Sequence, residues 1–233
     1  MTASSPTPAP LVFEQIPVGA RGKGGPPLSL EVPAHHTVAI LGDEDAGIGA
    51  LGGYAMGLER PPAGCVRVFE TVIADLPERE RLAFRRRVGY LPAGEGLLHN
   101  LSLRDNVALP LRFGSGASPK EIDGRVTVML TAVRLGAVGQ LRPAQVNEEE
   151  RRRAALARAV AFDPALVILE QPFDGLTGRA ASELLEIVRG GESAAGARRT
   201  ILITGQDLPA VVHRRVERVY RLTRAGALEL EPA

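Results

Sequence analysis

The sequence lacks the features that would tie it to disulfides, membranes or nucleic acids. Its single cysteine, Cys65, excludes an internal disulfide and a metal site made of several thiolates. No run approaches the roughly 18–20 consecutive apolar residues that a membrane-spanning helix needs. The net charge is +1, from 28 Lys and Arg against 27 Asp and Glu, so no excess of positive charge favours nucleic acid. These absences favour a cytoplasmic protein that does not bind nucleic acid.

The first ten residues differ in composition from the rest. Residues 1–10 are rich in Ser, Thr, Pro and Ala and lack a charged segment before an apolar core. We therefore predict a disordered tail here and not a signal peptide. Hydrophobic residues at 45% and charged residues at 24% are ordinary for a globular protein with a full core. We expect residues 11–233 to form a single domain.

Short apolar runs alternate with helical patterns along most of the chain. Strands are predicted within Leu11–Val38 and at Thr37–Leu41, Cys65–Phe69, Arg87–Leu91, Ala165–Leu169 and Thr200–Thr204. Helices are predicted at Ile48–Leu58, Leu76–Arg87, Asn100–Val160 (with breaks at Phe113–Gly116 and Leu141–Pro143) and Ala180–Arg189. This alternation favours an α/β fold with a parallel sheet covered on both faces.

The segment after the Thr37–Leu41 strand has the glycine spacing of a phosphate-binding loop but not its reactive side chains. Gly42 and Gly47 match the pattern G-x-x-x-x-G, after which a Lys and a Ser or Thr should reach the phosphates and Mg²⁺. Ile48 and Gly49 occupy those two positions. The whole loop consists of Gly42, Asp43, Glu44, Asp45, Ala46, Gly47, Ile48, Gly49 and Ala50.

The loop also carries negative charge. Asp43, Glu44 and Asp45 are consecutive, and like charges a few ångströms apart repel by about 1 kcal/mol even in water. The helix predicted at Ile48–Leu58 contains four glycines, and each interior glycine costs about 0.8–1 kcal/mol relative to alanine. We therefore expect an empty loop followed by a weakly held helix.

Four stretches elsewhere carry a family resemblance. Their residues, in order and spacing, are Arg87–Leu91, Leu101–Arg112, Arg152–Ala159 and Asp163–Leu169. The chain after residue 10 resembles the nucleotide-binding subunit of an ABC transporter, and is most similar to the ATPase subunit of Mla-type lipid-trafficking systems. The resemblance implies a P-loop NTPase (ABC-ATPase) fold: a mainly parallel core sheet flanked by helices, an N-terminal antiparallel β subdomain, and a helical subdomain at about 97–160.

The resemblance also identifies the positions that catalyse ATP hydrolysis in the family, and the residues there differ. Ala93 stands where a Gln contacts Mg²⁺ and the attacking water, and it has no polar side chain. Glu170 stands in place of the Asp that binds Mg²⁺, an ion that demands near-ideal geometry. Gln171 replaces the Glu that polarises water, and an amide cannot act as a base. Gln206, or Gly205, replaces the switch His.

The family's signature motif, Leu-Ser-Gly-Gly-Gln, corresponds here to Val146–Glu150. Asn147 matches the Ser, and Glu148 and Glu149 replace the two glycines, which removes a close backbone approach and adds negative charge. The simpler interpretation of this segment is structural: Asn147 begins a helix as its N-cap, with Glu150 completing a capping box. We favour that interpretation over a binding role.

Two further differences from the family also argue against ATP binding. Thr177 corresponds to an Asp that contacts the dimer partner in the family, and residues 16–22 contain no aromatic ring to stack on adenine. The favoured hypothesis is a pseudo-ATPase that uses no cofactor. It would sit on the inner face of the cell membrane, docked through residues 96–112 on a transmembrane permease of an Mla-like lipid system. Homodimerisation, or pairing with another ABC ATPase subunit, is also implied.

Two alternatives stay open. The chain could be an active subunit with divergent motifs that binds ATP and Mg²⁺. It could also reuse the fold for another ligand, such as a cation held by Asp43, Asp45 and Glu170. The four histidines are scattered without metal or triad spacing, so no metal site is expected from them.

Overall fold

The computed structural model describes residues 8–19, 25–190 and 198–232, so most of the tail predicted at residues 1–10 lies outside the described part. Nine strands are described: β1 (Leu11–Ile16), β2 (Leu28–Val32), β3 (Thr37–Leu41), β4 (Cys65–Val68), β5 (Val88–Leu91), β6 (Leu166–Glu170), β7 (Thr200–Gly205), β8 (Arg218–Leu222) and β9 (Leu228–Leu230). The α-helices are α1 (Leu51–Ala55), α2 (Glu78–Arg85), α3 (Leu103–Gly114), α4 (Pro119–Ala132), α5 (Glu148–Ala159), α6 (Gly178–Arg189) and α7 (Ala210–His213).

The larger sheet has six strands in the order β5-β6-β7-β3-β8-β9. All neighbours in it pair in parallel except β8 and β9, which are antiparallel. Because parallel strands end at the same edge, the carboxyl ends of β3, β6 and β7 lie side by side, and Leu41 pairs with Gly205 there. That edge is where ligands bind in open parallel sheets.

The smaller sheet is antiparallel, in the order β2-β1-β4. Leu11 of β1 lies opposite both Val32 and Val68, so the central strand is paired along both edges. The two sheets confirm the predicted fold class, with a mainly parallel core sheet and an antiparallel β subdomain near the N-terminus.

Alternate residues of the central strands enter two different hydrophobic clusters, as the two-residue period of a strand requires. Ala39 and Leu41 of β3 pack into a cluster with α3, α4, α5 and α6. Val38 and Ile40 pack on the opposite face, into a cluster with β1, β2, β4 and α1. Every residue of β3, β6 and β7 is buried. The prediction of a sheet covered on both faces is confirmed, but on one face the cover is largely β structure.

The predicted helix at Ile48–Leu58 is much shorter in the structure. Ile48–Ala50 forms a 3-10 turn and α1 ends at Ala55. Gly57 then takes a positive φ of 60°, and a side chain there would lie 2.8 Å from the Ile73 side chain. Close packing and the glycine content therefore end the helix three residues early.

The other predicted helix boundaries differ less from those in the structure. The charged helix begins after Pro77, and α3 runs through Pro110 to the predicted break. The sequence patterns did not predict β8 and β9. No helix within the described ranges is both long and apolar enough to cross a membrane.

Candidate functional site

A cavity of about 280 Å³ opens where β3, β6 and β7 end. Its lining consists of Ile48, Gly49, Ala93, Glu170, Gln171, Thr204 and Gly205. The sheet topology thus brings together two phosphate-loop residues, Ile48 and Gly49, and the predicted catalytic positions Ala93, Glu170 and Gln171, together with Gly205, the alternative position for the switch His. Gln206 does not line the cavity; it is exposed on the loop that follows β7.

The phosphate loop is closed by its own backbone hydrogen bonds. The Ala46 N–H donates to the Asp43 carbonyl at 2.9 Å, across a 3-10 turn at Glu44–Ala46. The Ala46 carbonyl accepts from the Gly19 N–H at 2.9 Å, and the Ala46 side chain is fully buried. Gly47 follows in the left-handed region, with φ of 84°. Several backbone groups of the loop are therefore satisfied by the protein itself.

Two acidic residues of the loop, Asp43 and Asp45, lie at the surface. Asp43 forms an ion pair with Arg224 at 2.9 Å. Arg224 is 181 residues further along the chain, so no local pattern could have identified it. Both partners are more than half exposed, so this pair contributes little to stability. It does offset part of the repulsion that the sequence predicts.

Ile48 and Gly49 occupy the positions that lysine and a hydroxyl residue hold in a working phosphate loop. The Ile48 side chain is 4% exposed and belongs to the hydrophobic cluster shared with β1 and α1. A Cβ on Gly49 would meet no atom within 4 Å, so this position faces open space. Position 48 therefore contributes to packing and offers no charge to the cavity.

Glu170 is held at the end of β6 by two hydrogen bonds. The Tyr90 hydroxyl donates to Oε1 at 2.9 Å, and the Ala93 N–H donates to Oε2 at 3.1 Å. Burial raises the pKa of the Glu170 carboxyl, while these two hydrogen bonds act to lower it and the charge of Glu59 raises it further. Burial likewise raises the pKa of the Tyr90 hydroxyl, which therefore acts as a donor at neutral pH.

Gln171 contributes its backbone to the site as well as its side chain. Its φ is 48°, and its N–H donates to the Thr204 carbonyl at 2.7 Å. This bond extends the pairing of β6 and β7 past the last strand residue. Tyr90 and the Gln171 backbone were not identified from the sequence as parts of the site.

The signature segment forms the start of α5 and lies outside the cavity lining. Asn147 is the N-cap, and both hydrogen bonds of a capping box with Glu150 are present. Glu149 pairs with Arg153 at 2.6 Å, and a Cβ on Gly175 would lie 2.5 Å from a carboxylate oxygen of Glu148. The predicted N-cap and capping box are confirmed.

The hypothesis of a cation site at Asp43, Asp45 and Glu170 is wrong for the described residues. Within residues 8–19, 25–190 and 198–232, no group of three or more His, Cys, Asp or Glu residues could hold a metal ion. Asp43 pairs with Arg224, whereas Glu170 faces Tyr90 and Ala93. The two carboxylates have separate partners and do not converge.

The segment at residues 96–112 forms a second surface. A groove of about 570 Å³ runs between α3 and α4 and is lined by Arg104, Ala108, Arg112, Ala117, Pro119, Ile122, Asp123 and Val126. Two large apolar side chains here are exposed: Leu98, within the segment, is 44% exposed, and Phe113, directly after it, is 83% exposed. A groove with apolar and charged lining, close in sequence to exposed apolar side chains, makes this segment a candidate docking surface.

Comparison with known proteins identifies the fold. Among solved structures, the dimeric ATP-binding cassette MJ0796 bound to ADP and Pi superposes with a TM-score of 0.80 at 22% identity, covering 95% of this chain and 97% of that one. The structure of cbiO1 from Clostridium perfringens, part of an ABC transporter complex, gives 0.75 at 17% identity, covering 97% and 88%. At these identities the structures show a shared fold.

Sequence comparisons show the family. The lipoprotein-releasing system ATP-binding protein LolD of Chromohalobacter salexigens is 33% identical over 203 residues, which are 87% of this chain and 84% of LolD. The sulfate/thiosulfate import ATP-binding protein CysA of Escherichia coli K12 is 31% identical over 167 residues, 70% of this chain and 44% of CysA. The family model described as ABC transporter matches residues 26–174. The chain therefore belongs to the ABC transporter family, as an ATP-binding cassette domain.

Proposed function

We propose that this chain is a non-hydrolysing member of the family, a pseudo-ATPase that serves an ABC transporter by binding its partners. The observation that carries the proposal is the lining of the cavity at the sheet edge. Its described residues include no lysine or arginine, and its one charged side chain is the carboxylate of Glu170. A nucleotide triphosphate would bring further negative charge to this carboxylate without a cation to offset it.

The loss of catalytic chemistry supports the same conclusion. Gln171 is neutral at any pH and cannot accept a proton from water. Glu170 is engaged by Tyr90 and Ala93, and its raised pKa shows that burial disfavours the charged form. The vestigial signature at Asn147, Glu148 and Glu149 begins a helix in which Asn147 caps the Glu150 N–H and Glu149 pairs with Arg153, while Glu148 lies against Gly175. We infer that neither half of a composite ATP site is competent in this chain.

The nucleotide proposal is tested by calorimetric titration of the full chain with ATP, with and without Mg²⁺. LolD from Chromohalobacter salexigens, titrated in the same buffer, controls for nucleotide quality. We expect no heat of binding up to millimolar ATP and no phosphate release. Saturable Mg-ATP binding would overturn the proposal and favour the alternative, an active subunit with divergent motifs. That alternative is supported by the superposition on a cassette bound to ADP and Pi.

The partner proposed is a transmembrane permease. The surface formed by residues 96–112 and the adjoining groove would receive it, with Leu98 and Phe113 as apolar contacts. We propose that residues 11–233 form one domain whose helical subdomain, about 97–160, carries this surface on the inner face of the membrane. The dimeric cassette and the transporter-complex subunit among the structural neighbours support assembly with a second ATPase subunit.

We propose a lipid-linked cargo for the transporter. The supporting observation is the similarity of this chain to LolD, which is named as the ATP-binding protein of a lipoprotein-releasing system. Mla-like lipid transport is the specific form of this proposal. Its test is pulldown of the tagged chain from its own host's membranes. An associated permease of a lipid or lipoprotein system is the expected result, and a permease of a sulfate or methionine importer would contradict it.

A further inference from the structure

The loop that follows β5, residues 92–96, is fastened to the sheet by Glu170. The Ala93 N–H donates to Oε2 at 3.1 Å, and the Tyr90 hydroxyl fixes Oε1 at 2.9 Å. Tyr90 lies on β5 and Glu170 on the adjacent β6, where Tyr90 pairs in register with Ile168. A buried carboxylate with two donors is restricted in its movement, so it holds Ala93 at a set distance from the sheet.

The same loop is fastened on its other side by α5. Arg152 donates from Nη1 to the Ala93 carbonyl at 3.4 Å. Arg158 donates to the carbonyls of Glu95 and Gly96 at 2.8 and 2.5 Å, and Arg151 pairs with the Glu95 carboxylate at 3.4 Å. Three arginines of one helix therefore hold this loop. Together with Glu170 they connect α5 to the parallel sheet through protein contacts alone.

Gly52 of α1 makes room for this arrangement. A Cβ at Gly52 would lie 2.1 Å from Oε1 of Glu170 and 3.1 Å from the Tyr90 ring. An interior glycine costs a helix about 1 kcal/mol relative to alanine, so its presence in a helix of five residues calls for a reason. The space that the glycine leaves is filled by the carboxylate of Glu170.

We propose that Glu170 is a built-in clamp that fixes the loop at residues 92–96 in one position without any ligand, and that Gly52 is the residue that gives the clamp its room. The clamp forms part of the wall of the 280 Å³ cavity, so any ligand that required the loop to move would have to break it. It also holds α5, and with it the surface at residues 96–112, in a constant orientation. A partner would therefore meet a surface whose shape does not depend on nucleotide.

The test is residue-resolved hydrogen exchange by NMR on the full chain without nucleotide. Two variants break the clamp differently: Glu170→Ala removes the carboxylate, and Gly52→Ala displaces it. Gly53→Ala is the matched control, because a Cβ there comes no closer than 3.8 Å to any atom outside its own helix, namely to Glu59. We expect the Ala93 amide to exchange at least tenfold faster in Glu170→Ala and Gly52→Ala and at the wild-type rate in Gly53→Ala. Unchanged exchange at Ile201–Thr204 of β7 shows that the fold is intact.

The outcomes separate the two parts of the proposal. A wild-type rate at Ala93 in Glu170→Ala overturns the clamp, and a wild-type rate in Gly52→Ala alone overturns the role of Gly52. If Glu170→Ala fails to fold, Glu170→Asp replaces it, because the shorter carboxylate cannot reach both donors and the same acceleration is expected. No nucleotide enters the experiment. ATP binding in a separate titration would overturn the proposed function and leave this result unaffected.

Discussion

Asn147 and Glu150 cap each other across the first turn of α5. Asn147 Oδ1 accepts the Glu150 N–H at 2.8 Å, and Glu150 Oε2 accepts the Asn147 N–H at 3.0 Å. Two N–H groups that a helix start would leave without partners are thereby satisfied. In this chain the segment matching the family's signature stabilises a helix.

From the capping box we predict that shortening the Asn147 side chain destabilises the protein. Asn147→Ala should lower the free energy of unfolding by about 1 kcal/mol, since alanine cannot accept the Glu150 N–H. Urea denaturation followed by circular dichroism measures it. Asn147→Ser is the control and should stay within a few tenths of a kcal/mol of wild type, because a serine hydroxyl caps a helix about as well. Equal losses in both variants would contradict a capping role.

Substituting Asn106 should destabilise the protein more than substituting Asn147, because Asn106 is fully buried. Its Oδ1 accepts the Leu98 N–H at 2.7 Å, and its Nδ2 donates to the carbonyls of Leu98 and Ser102 at 3.0 and 2.9 Å. Asn106→Ala removes the acceptor of the Leu98 N–H, whereas the two carbonyls still accept from the backbone N–H groups of Leu101 and Asn106. With about 1–3 kcal/mol for one unsatisfied group, and the lost packing of a buried side chain, we expect a loss of about 2–3 kcal/mol in urea denaturation. Asn100→Ala, at an exposed asparagine nearby, should change stability by less than about 0.5 kcal/mol.

The raised pKa of the Glu170 carboxyl predicts how the free energy of unfolding changes with pH. Burial raises the pKa of its carboxyl above the usual 4.5, so the folded chain binds this proton more tightly than the unfolded chain does. The stability that the protonated form contributes is therefore present below pH 4.5 and is lost as pH rises through the higher pKa of the folded state. Glu170→Gln, which stays neutral, should gain stability relative to wild type as the pH rises toward about 7.

The measurement is the difference in the free energy of unfolding between Glu170→Gln and wild type at several pH values. Glu183→Gln supplies a control of opposite sign, because a hydrogen bond from Arg179 lowers the pKa of the Glu183 carboxyl. That variant should lose stability relative to wild type as pH rises. A difference for Glu170→Gln that is flat or declines with pH would show that its carboxyl is not destabilised by burial.

If residues 96–112 and Phe113 bind the permease, a substitution at Phe113 should weaken permease binding without changing the free energy of unfolding. Phe113 is 83% exposed, so Phe113→Asp should leave the free energy of unfolding within about 0.5 kcal/mol of wild type. It should reduce co-purification of the permease at least tenfold by adding a charge to an apolar contact. Val128→Asp, on α4 and 70% exposed, is the matched control, because Val128 lies outside residues 96–112 whereas Phe113 directly follows them. Equal retention of the permease by both variants would exclude Phe113 from the interface.

Features that depend on local sequence were predictable. The β3 strand, the loop after it and the capping box at Asn147 follow from short patterns of apolar, glycine and polar residues. Each of these elements uses neighbours within a few positions, so periodicity and spacing are sufficient to find them.

The missed features depend on distant parts of the chain. Tyr90 and Glu170 are 80 residues apart, and Asp43 and Arg224 are 181 apart. Near the early end of α1, the Ile73 side chain leaves no room for a Cβ on Gly57. The pattern that identified the glycine content of α1 could not show that the space beside Gly52 is filled by a carboxylate from another strand.

The brevity of α1 has a consequence for phosphate binding at the loop before it. Anions at a helix start are attracted by many peptide dipoles in line, and a helix of five residues offers few of them. If the chain binds no nucleotide, as proposed, Ile48→Lys alone would add one positive charge beside a helix that contributes little attraction of its own. A longer α1 would be needed as well, since the added charge and the helix dipole act on the same phosphate.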